Sequence, residues 1–144
     1  MSSRAESLNE SELLDYLNAN QPPFSRKIGL RYVSAQADRV VSEMNVMPDM
    51  TTGPDFLHGG AIMSMADTTG AMSTMINVSE DKFTTTIESK TNFFTSIAVG
   101  DVAVAEAVPL HRGRRTHVWQ TRITRKSDGR LVAQVMQTQM VLAK

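Results

Sequence analysis

A histidine followed by two glycines, in the run Leu57-His58-Gly59-Gly60, stands at the predicted start of the only long helix of the chain. The first N–H groups of a helix have no partner inside it and lie at the positive end of its dipole. Because glycine has no side chain, such an N–H could polarise a carbonyl and stabilise an oxyanion. The same glycines would equally let a neighbouring element pack closely, and the spacing alone leaves both interpretations open.

Asp67 is the second candidate, nine residues after His58. At about 100° per residue, it points nearly opposite the apolar stripe of the predicted helix. Its own face carries small and apolar residues, which suit a surface covered by a second subunit better than open solvent. These residues are Met63, Gly70, Ala71 and Thr74. The alternative is an ordinary exposed acid on a helix.

Three arginines surround a predicted hairpin turn in the run His111-Arg112-Gly113-Arg114-Arg115-Thr116. The whole chain has 15 basic and 15 acidic residues and a formal net charge of zero, so this basic cluster is local. It would suit an anionic ligand with several phosphates. A solvated hairpin without a ligand is the other interpretation.

The composition limits the class of protein. A chain of 144 residues fits one domain, and its zero net charge gives no electrostatic case for a nucleic-acid partner. Because there is no cysteine, thiolate catalysis and cysteine-based zinc sites are excluded. The three histidines lack metal-motif spacing, so we expect neither metal nor cofactor. No signal peptide or membrane span is recognisable, which predicts a cytoplasmic protein without a membrane partner.

Hydrophobic periodicity predicts one helix from His58 to Ile76, among strands. Its stripe consists of Ile62, Met65, Thr69, Met72 and Ile76. The predicted strands are Ile28–Gln36, Arg39–Met47, Thr84–Phe94, Asp101–Leu110, Thr116–Arg125 and Leu131–Leu142, with Pro48–Leu57 as a loop. On the fourth strand, Ala103, Ala105 and Ala107 leave room for a helix to lie across them. This order predicts an α+β fold, in which one antiparallel sheet wraps around one central helix.

The N-terminal region is predicted to be separate from the sheet. Residues 1–8 are expected to be a frayed tail. Asn9 and Glu12 form the capping pattern of a short helix, which Pro22 and Pro23 end. We therefore divide the chain into residues 1–24, the tail and short helix, and residues 25–144, the main domain.

The ordered motifs resemble the hotdog-fold thioesterases of the phenylacetic-acid-degradation type, over about residues 25–143. Besides the His-Gly-Gly run and Asp67, they are Thr86-Ile87-Glu88 leading into Asn92-Phe93-Phe94 and Gly100-Asp101, then Gly113-Arg114-Arg115-Thr116, then Asp128-Gly129-Arg130-Leu131-Val132-Ala133. The resemblance implies a sheet wrapped around a long helix. It also implies homodimers with active sites at the interface, often paired into tetramers, that hydrolyse acyl-CoA without a cofactor.

The resemblance also implies roles for residues. Asp67 matches the acid that activates water or attacks the carbonyl, and Gly59 matches the N–H donor to the thioester carbonyl. His58 matches a histidine that orders the site. Thr86 matches a hydroxyl that holds the water and comes from the partner subunit.

For substrate binding, the resemblance implies contacts with CoA from Phe93 and from the hairpin residues Arg112, Gly113, Arg114, Arg115 and Thr116. Thr52 stands where many members of the family have an asparagine. Threonine can form hydrogen bonds but lacks the donor–acceptor pair of the amide.

Two other functions remain compatible with the same motifs. One is an acyl-CoA-binding hotdog protein without catalysis. The other is an enoyl-CoA hydratase or dehydratase of the same fold, which would use His58 with an acid. The Asp67 position favours hydrolysis, and an enoyl-CoA hydration assay would separate the two enzyme classes.

Overall fold

The structure, a computed structural model, describes residues 1–144 as four helices and eight strands. The helices are α1 (Arg4–Ser7), α2 (Glu10–Ala19), α3 (Pro23–Lys27) and α4 (Gly59–Ile76). The strands are β1 (Arg31–Gln36), β2 (Arg39–Asn45), β3 (Thr51–Thr52), β4 (Phe56–Leu57), β5 (Lys82–Phe93), β6 (Val102–Arg112), β7 (Thr116–Arg125) and β8 (Leu131–Ala143). None of the helices combines the length and the apolar character needed to span a bilayer.

A six-stranded antiparallel sheet packs against α4, which confirms the predicted α+β fold. The strand order is β1-β2-β6-β7-β8-β5, and α4 contacts five of these strands. Every residue of the predicted apolar stripe of α4 is buried, from Ile62 to Ile76. The helix therefore lies in the concave side of the sheet, and most of the hydrophobic core is between the two.

Small side chains allow α4 to lie close to the sheet. Ala103, Ala105 and Ala107 of β6 are fully buried, as the alanine row predicted. Next to them, the hydroxyls of Ser42 and Thr69 are 2.7 Å apart and hydrogen-bonded. These short polar groups satisfy each other, so the sheet and the helix can approach without an unpaired buried hydroxyl at this contact.

The N-terminal region is more ordered than the sequence predicted, and the prediction of a frayed tail over residues 1–8 is wrong. Residues 4–7 form α1, and Arg4 Nη1 donates to the Met75 carbonyl at 3.2 Å. The Arg4 guanidinium also lies 4.5 Å from the centre of the Tyr16 ring. A further helix, α3, begins at Pro23, because proline is favoured at the first helical position.

The segment predicted as a loop before α4 is anchored at several points. Residues 48–50 form a 3₁₀ turn, and β3 and β4 form a small hairpin. His58 N donates to the Met50 carbonyl at 2.8 Å, and Leu57 N donates to the Ile97 carbonyl at 2.9 Å. These bonds fix the position of the first turn of α4.

Ala105→Leu should lower the free energy of unfolding by about 1–3 kcal/mol, because a larger side chain has no room between β6 and α4. Val104 lies half-buried on the other face of β6, so Val104→Leu is the control, with an expected change within about 0.5 kcal/mol. Urea denaturation followed by Trp119 fluorescence measures both. Equal losses of unfolding free energy in the two variants would show that the alanine row does not limit how closely the helix approaches the sheet.

Candidate active site

The Asp67 carboxylate lies half-buried in the middle of α4, beside Thr86 of β5. The Thr86 hydroxyl donates to Asp67 Oδ1 at 2.7 Å within one chain. The expectation that Thr86 reaches Asp67 from a partner subunit is therefore wrong, because β5 packs along α4 of its own chain. Asp67 Oδ2 has no hydrogen-bond partner in the chain.

Gln139 of β8 continues this hydrogen-bond network away from the helix. Its Nε2 donates to Thr86 Oγ1 at 2.6 Å, and its Oε1 accepts from the Thr84 hydroxyl at 2.9 Å. Gln139 is fully buried, so both ends of its amide need protein partners. The network runs from Thr84 through Gln139 and Thr86 to Asp67.

A second buried glutamine contacts the main chain at the same position. Gln137 Nε2 donates to the Asp67 carbonyl at 3.1 Å. This contact needs a glycine on the next turn of α4, since a Cβ on Gly70 would lie 2.5 Å from Gln137 Cδ. Sequence reasoning missed Gln137 and Gln139. The available signal was two amides, two residues apart, continuing the buried face of β8 after Val135.

The start of α4 presents one unused donor. His58 is the N-cap residue, and its Nδ1 accepts from the Gly60 N–H at 2.8 Å, which leaves the ring proton on Nε2. The Gly59 N–H donates to no acceptor of the chain. The Phe93 ring covers this turn, since a Cβ on Gly59 would lie 3.2 Å from Phe93 Cζ. Thr52 lies exposed in the hairpin just before.

The Gly59 N–H and the Asp67 carboxylate of one chain cannot act on the same substrate carbonyl. Asp67 follows Gly59 by eight residues of continuous helix, which separates them by about 12 Å along the axis. A carbonyl hydrogen-bonded to the Gly59 N–H is therefore out of reach of a water molecule held by Asp67 of that chain. Each chain presents two separate half-sites, one at the helix start and one at its middle.

The arginine hairpin lies at the opposite end of α4 from Gly59. Arg112 Nη1 donates to the Asn77 side chain at 2.8 Å and to the Ala37 carbonyl at 3.0 Å, so this arginine fixes the hairpin to the end of the helix. The turn closes through Gly113 N, which donates to the Thr116 carbonyl. Arg114 and Arg115 are exposed and have no salt bridge.

One histidine lies between this hairpin and the Asp67 network. His117 of β7 is buried and pairs with Gln139 across the sheet. Burial lowers the pKa of His117 below its usual value, and the Gly113 backbone opposes this effect only partly. The ring is therefore neutral at pH 7. No group of three or more His, Asp or Glu side chains in the chain is placed to hold a metal ion.

The sequence profile of the thioesterase superfamily matches residues 55–132, which include Gly59, Asp67, Thr86 and the arginine hairpin. The chain belongs to the thioesterase superfamily. This membership confirms the predicted family and its enzyme class, thioester hydrolase.

Individual relatives agree with this assignment. The 1,4-dihydroxy-2-naphthoyl-CoA hydrolase of Listeria monocytogenes is 28% identical over 101 residues, covering 70% of this chain and 81% of the relative. A crystal structure of a mutant of thioesterase PA1618 from Pseudomonas aeruginosa superposes with a TM-score of 0.84 at 26% identity, covering 91% of this chain and 94% of that one. PaaI from the phenylacetic acid degradation operon of E. coli has the same fold, with a TM-score of 0.82 at 20% identity, covering 97% and 94%.

Gly70→Ala should lower the free energy of unfolding by about 1–3 kcal/mol, because the new methyl group must displace the buried Gln137 amide. At an ordinary helix position the same change stabilises by about 1 kcal/mol, so the sign is informative. In a Gln137→Ala background the obstruction is absent, and Gly70→Ala should then stabilise the protein. Urea denaturation of the wild type, the two single variants and the double variant measures the coupling between Gly70 and Gln137. Purely additive effects on the free energy of unfolding would contradict it.

Proposed function

We propose that the protein hydrolyses acyl-CoA thioesters to the free acid and CoA, with Asp67 as the general base or the nucleophile. The observation that carries this proposal is the Asp67 carboxylate, held by Thr86 through one oxygen and unpartnered at the other. The assignment to the thioesterase superfamily supports the reaction class.

The reactivity of a thioester determines which step the enzyme must assist. Its thiolate is a good leaving group, so the difficult step is delivery of an activated oxygen to the carbonyl carbon. Asp67 can take a proton from water as the new C–O bond forms, or attack the carbonyl itself and be released by water afterwards. The C–S bond then breaks, and the CoA sulfur leaves as a thiolate that takes up a proton. The Gly59 N–H would stabilise the oxyanion in between.

A complete site requires two chains in this proposal. Because Gly59 and Asp67 of one chain are too far apart for one carbonyl, the helix start of one subunit would act with Asp67 and Thr86 of the other. The position of β5 supports such pairing. This strand lies at the edge of the sheet, is 12 residues long and exposes the side chains of Phe83 and Ile87. A second copy could continue the sheet there and form a two-fold homodimer, or a tetramer of two dimers.

The arginine hairpin would receive the CoA portion. Arg114 and Arg115 are free to bind phosphates, whereas Arg112 would hold the hairpin in place through Asn77. The Listeria relative is named for a CoA thioester, which supports CoA as the carrier. Phe93 and Thr52 would border the acyl or pantetheine portion at the helix start. A cytoplasmic location stays a prediction, as does the division at residues 24 and 25.

A panel of aromatic, short-chain and medium-chain acyl-CoA esters, assayed by release of the free thiol, tests the proposal directly. Turnover of at least one class, lost in the Asp67 variant below, is the expected result. Binding of acyl-CoA without hydrolysis of any member would overturn it in favour of an acyl-CoA-binding protein.

Asp67→Asn should lower kcat by about 10²–10⁴-fold, because the amide keeps the shape of the carboxylate but cannot accept the proton. Binding of acyl-CoA should survive, since the arginine hairpin is unchanged. The matched control is Asp15→Asn, which makes the same change on an exposed helical aspartate without hydrogen-bond partners. Turnover near that of the wild type in Asp67→Asn would exclude Asp67 as the catalytic residue.

Gly59→Pro removes the unpaired N–H at a helix position where proline is tolerated, and kcat should fall by about 10²–10³-fold. Gly59→Ala is its control, because alanine keeps the N–H and only displaces the exposed Phe93 ring.

Mixing the two inactive variants tests whether the half-sites come from different chains. In a two-fold dimer of one Asp67→Asn and one Gly59→Pro chain, one site carries both changes and the other carries neither. Random reassembly of equal amounts should therefore recover about a quarter of wild-type activity. No recovery, with mixed dimers demonstrated by mass, would mean that both groups act within one chain. A stable monomer in light scattering would exclude the shared site altogether.

A further inference from the structure

We infer that Gln139 is a positioning residue for the proposed hydrolysis: its buried amide fixes the direction of the Thr86 hydroxyl, so that the Thr86 O–H always donates its hydrogen bond to Asp67. The inference rests on the proposed role of Asp67. It concerns a side chain that does not touch the carboxylate and acts only through Thr86.

The direction follows from counting donors. A hydroxyl has one proton, and Thr86 Oγ1 lies 2.6 Å from Gln139 Nε2 and 2.7 Å from Asp67 Oδ1. Since the amide nitrogen can only donate, Thr86 must accept from Gln139 and donate to Asp67. If the amide were turned by 180°, its oxygen would compete with Asp67 for the same proton.

Asp67 decides the orientation of the amide, since a turned amide would leave one Thr86 proton for two acceptors, and Thr84 completes the network in the observed orientation. The Thr84 hydroxyl donates to Gln139 Oε1 at 2.9 Å and also lies 3.1 Å from the Met140 carbonyl, which is a second acceptor. The amide oxygen of the fully buried Gln139 thus has its own donor within the protein. The three side chains form a one-way series of donors that ends on the carboxylate.

This series has a chemical consequence at Asp67. Oδ1 of the carboxylate accepts from Thr86, so Oδ2, which has no partner in the chain, is the oxygen presented to water or to the thioester. The plane of the carboxylate is also held, which reduces the conformations it must lose before reaction. Gln137 adds to this by holding the main chain at the same residue.

Few other charges act on this position. Asp67 is the only ionisable residue on α4. On the strands packed beside it, the inward-facing ionisable groups are the buried neutral His117 of β7, Lys82 at the start of β5, Arg112 of β6, which binds Asn77, and Arg125 of β7, which binds Asp128 and the Ser96 carbonyl. Two further groups contact main-chain carbonyls of α4: the Tyr32 hydroxyl at Thr68 and the Arg4 guanidinium at Met75. A change in pH dependence after substitution of Gln139 would therefore report on the network itself.

Two substitutions of Gln139 separate positioning from packing. Gln139→Met keeps the volume but removes the donor, and kcat should fall about tenfold with little change in KM. When its new carboxyl is ionised, Gln139→Glu places an acceptor where the donor was, so the Thr86 proton can turn away from Asp67. In this variant the acid limb of the pH–kcat profile should move to higher pH by about one unit. The control is Gln134→Met on the same strand, a half-buried glutamine without hydrogen-bond partners.

Combination with Thr86→Val shows whether Gln139 acts through Thr86. In the Thr86→Val background, Gln139→Met should cause no further loss of kcat, whereas a packing role would add its full loss. Additive losses, or an acid limb that stays in place in Gln139→Glu, would overturn the inference. Because Asp67→Asn is assayed in parallel, normal turnover in that variant would instead contradict the proposed function.

If the Gln139 variants do not fold, the wild type still provides a test. The Gln139 side-chain amide signal in NMR, assigned through its contacts with Thr86, should change over the same pH range as the acid limb of kcat. The change should be absent in Asp67→Asn. An amide signal that does not respond to pH would show that the network is not coupled to Asp67.

Discussion

The close approach of one helix to a curved sheet is the constraint on which the rest of this structure depends. It requires short side chains on both sides, and the chain supplies them as the alanine row of β6 and as Gly70 and Thr69 on α4. Larger residues would move the helix outward and separate Asp67 from Thr86. The site is thus a product of packing, because a 2.7 Å hydrogen bond between helix and strand exists only at this separation.

The same constraint explains why so many polar groups lie inside the molecule. A helix that lies this close to a sheet brings its hydroxyls and carbonyls against the strands, and each buried group needs a partner. Ser42 with Thr69, Trp119 with Thr74 and Gln137 with the Asp67 carbonyl provide such pairs between the sheet and α4. These bonds also fix the rotation of α4 about its axis, which an apolar interface would specify less strictly.

The sequence predicted the architecture well, because the change from a period of two to a period of 3.6 is visible along the chain. It also named Asp67 and Gly59 as candidates, since the spacing of a histidine, two glycines and an acid can be read directly from the sequence. It did not reveal Gln137 or Gln139. An inward-facing glutamine on a strand is recognised as functional only when the group opposite is known. Arg4 was missed for the same reason, because Tyr16 and the Met75 carbonyl come from distant parts of the chain.

The exposed edge of β5 bears on how the chain behaves during synthesis. Twelve residues of edge strand, with Phe83, Ile87 and Phe93 exposed, form a surface on which any extended segment could add. One bulge, between Thr86 and Glu88, interrupts this strand, which contains no proline, and Lys82, Glu88 and Lys90 are its only charged residues. In a newly made chain, pairing of this edge with the edge of a second copy therefore competes with aggregation. Its yield of active protein should accordingly depend on how quickly, and at what concentration, that edge is occupied.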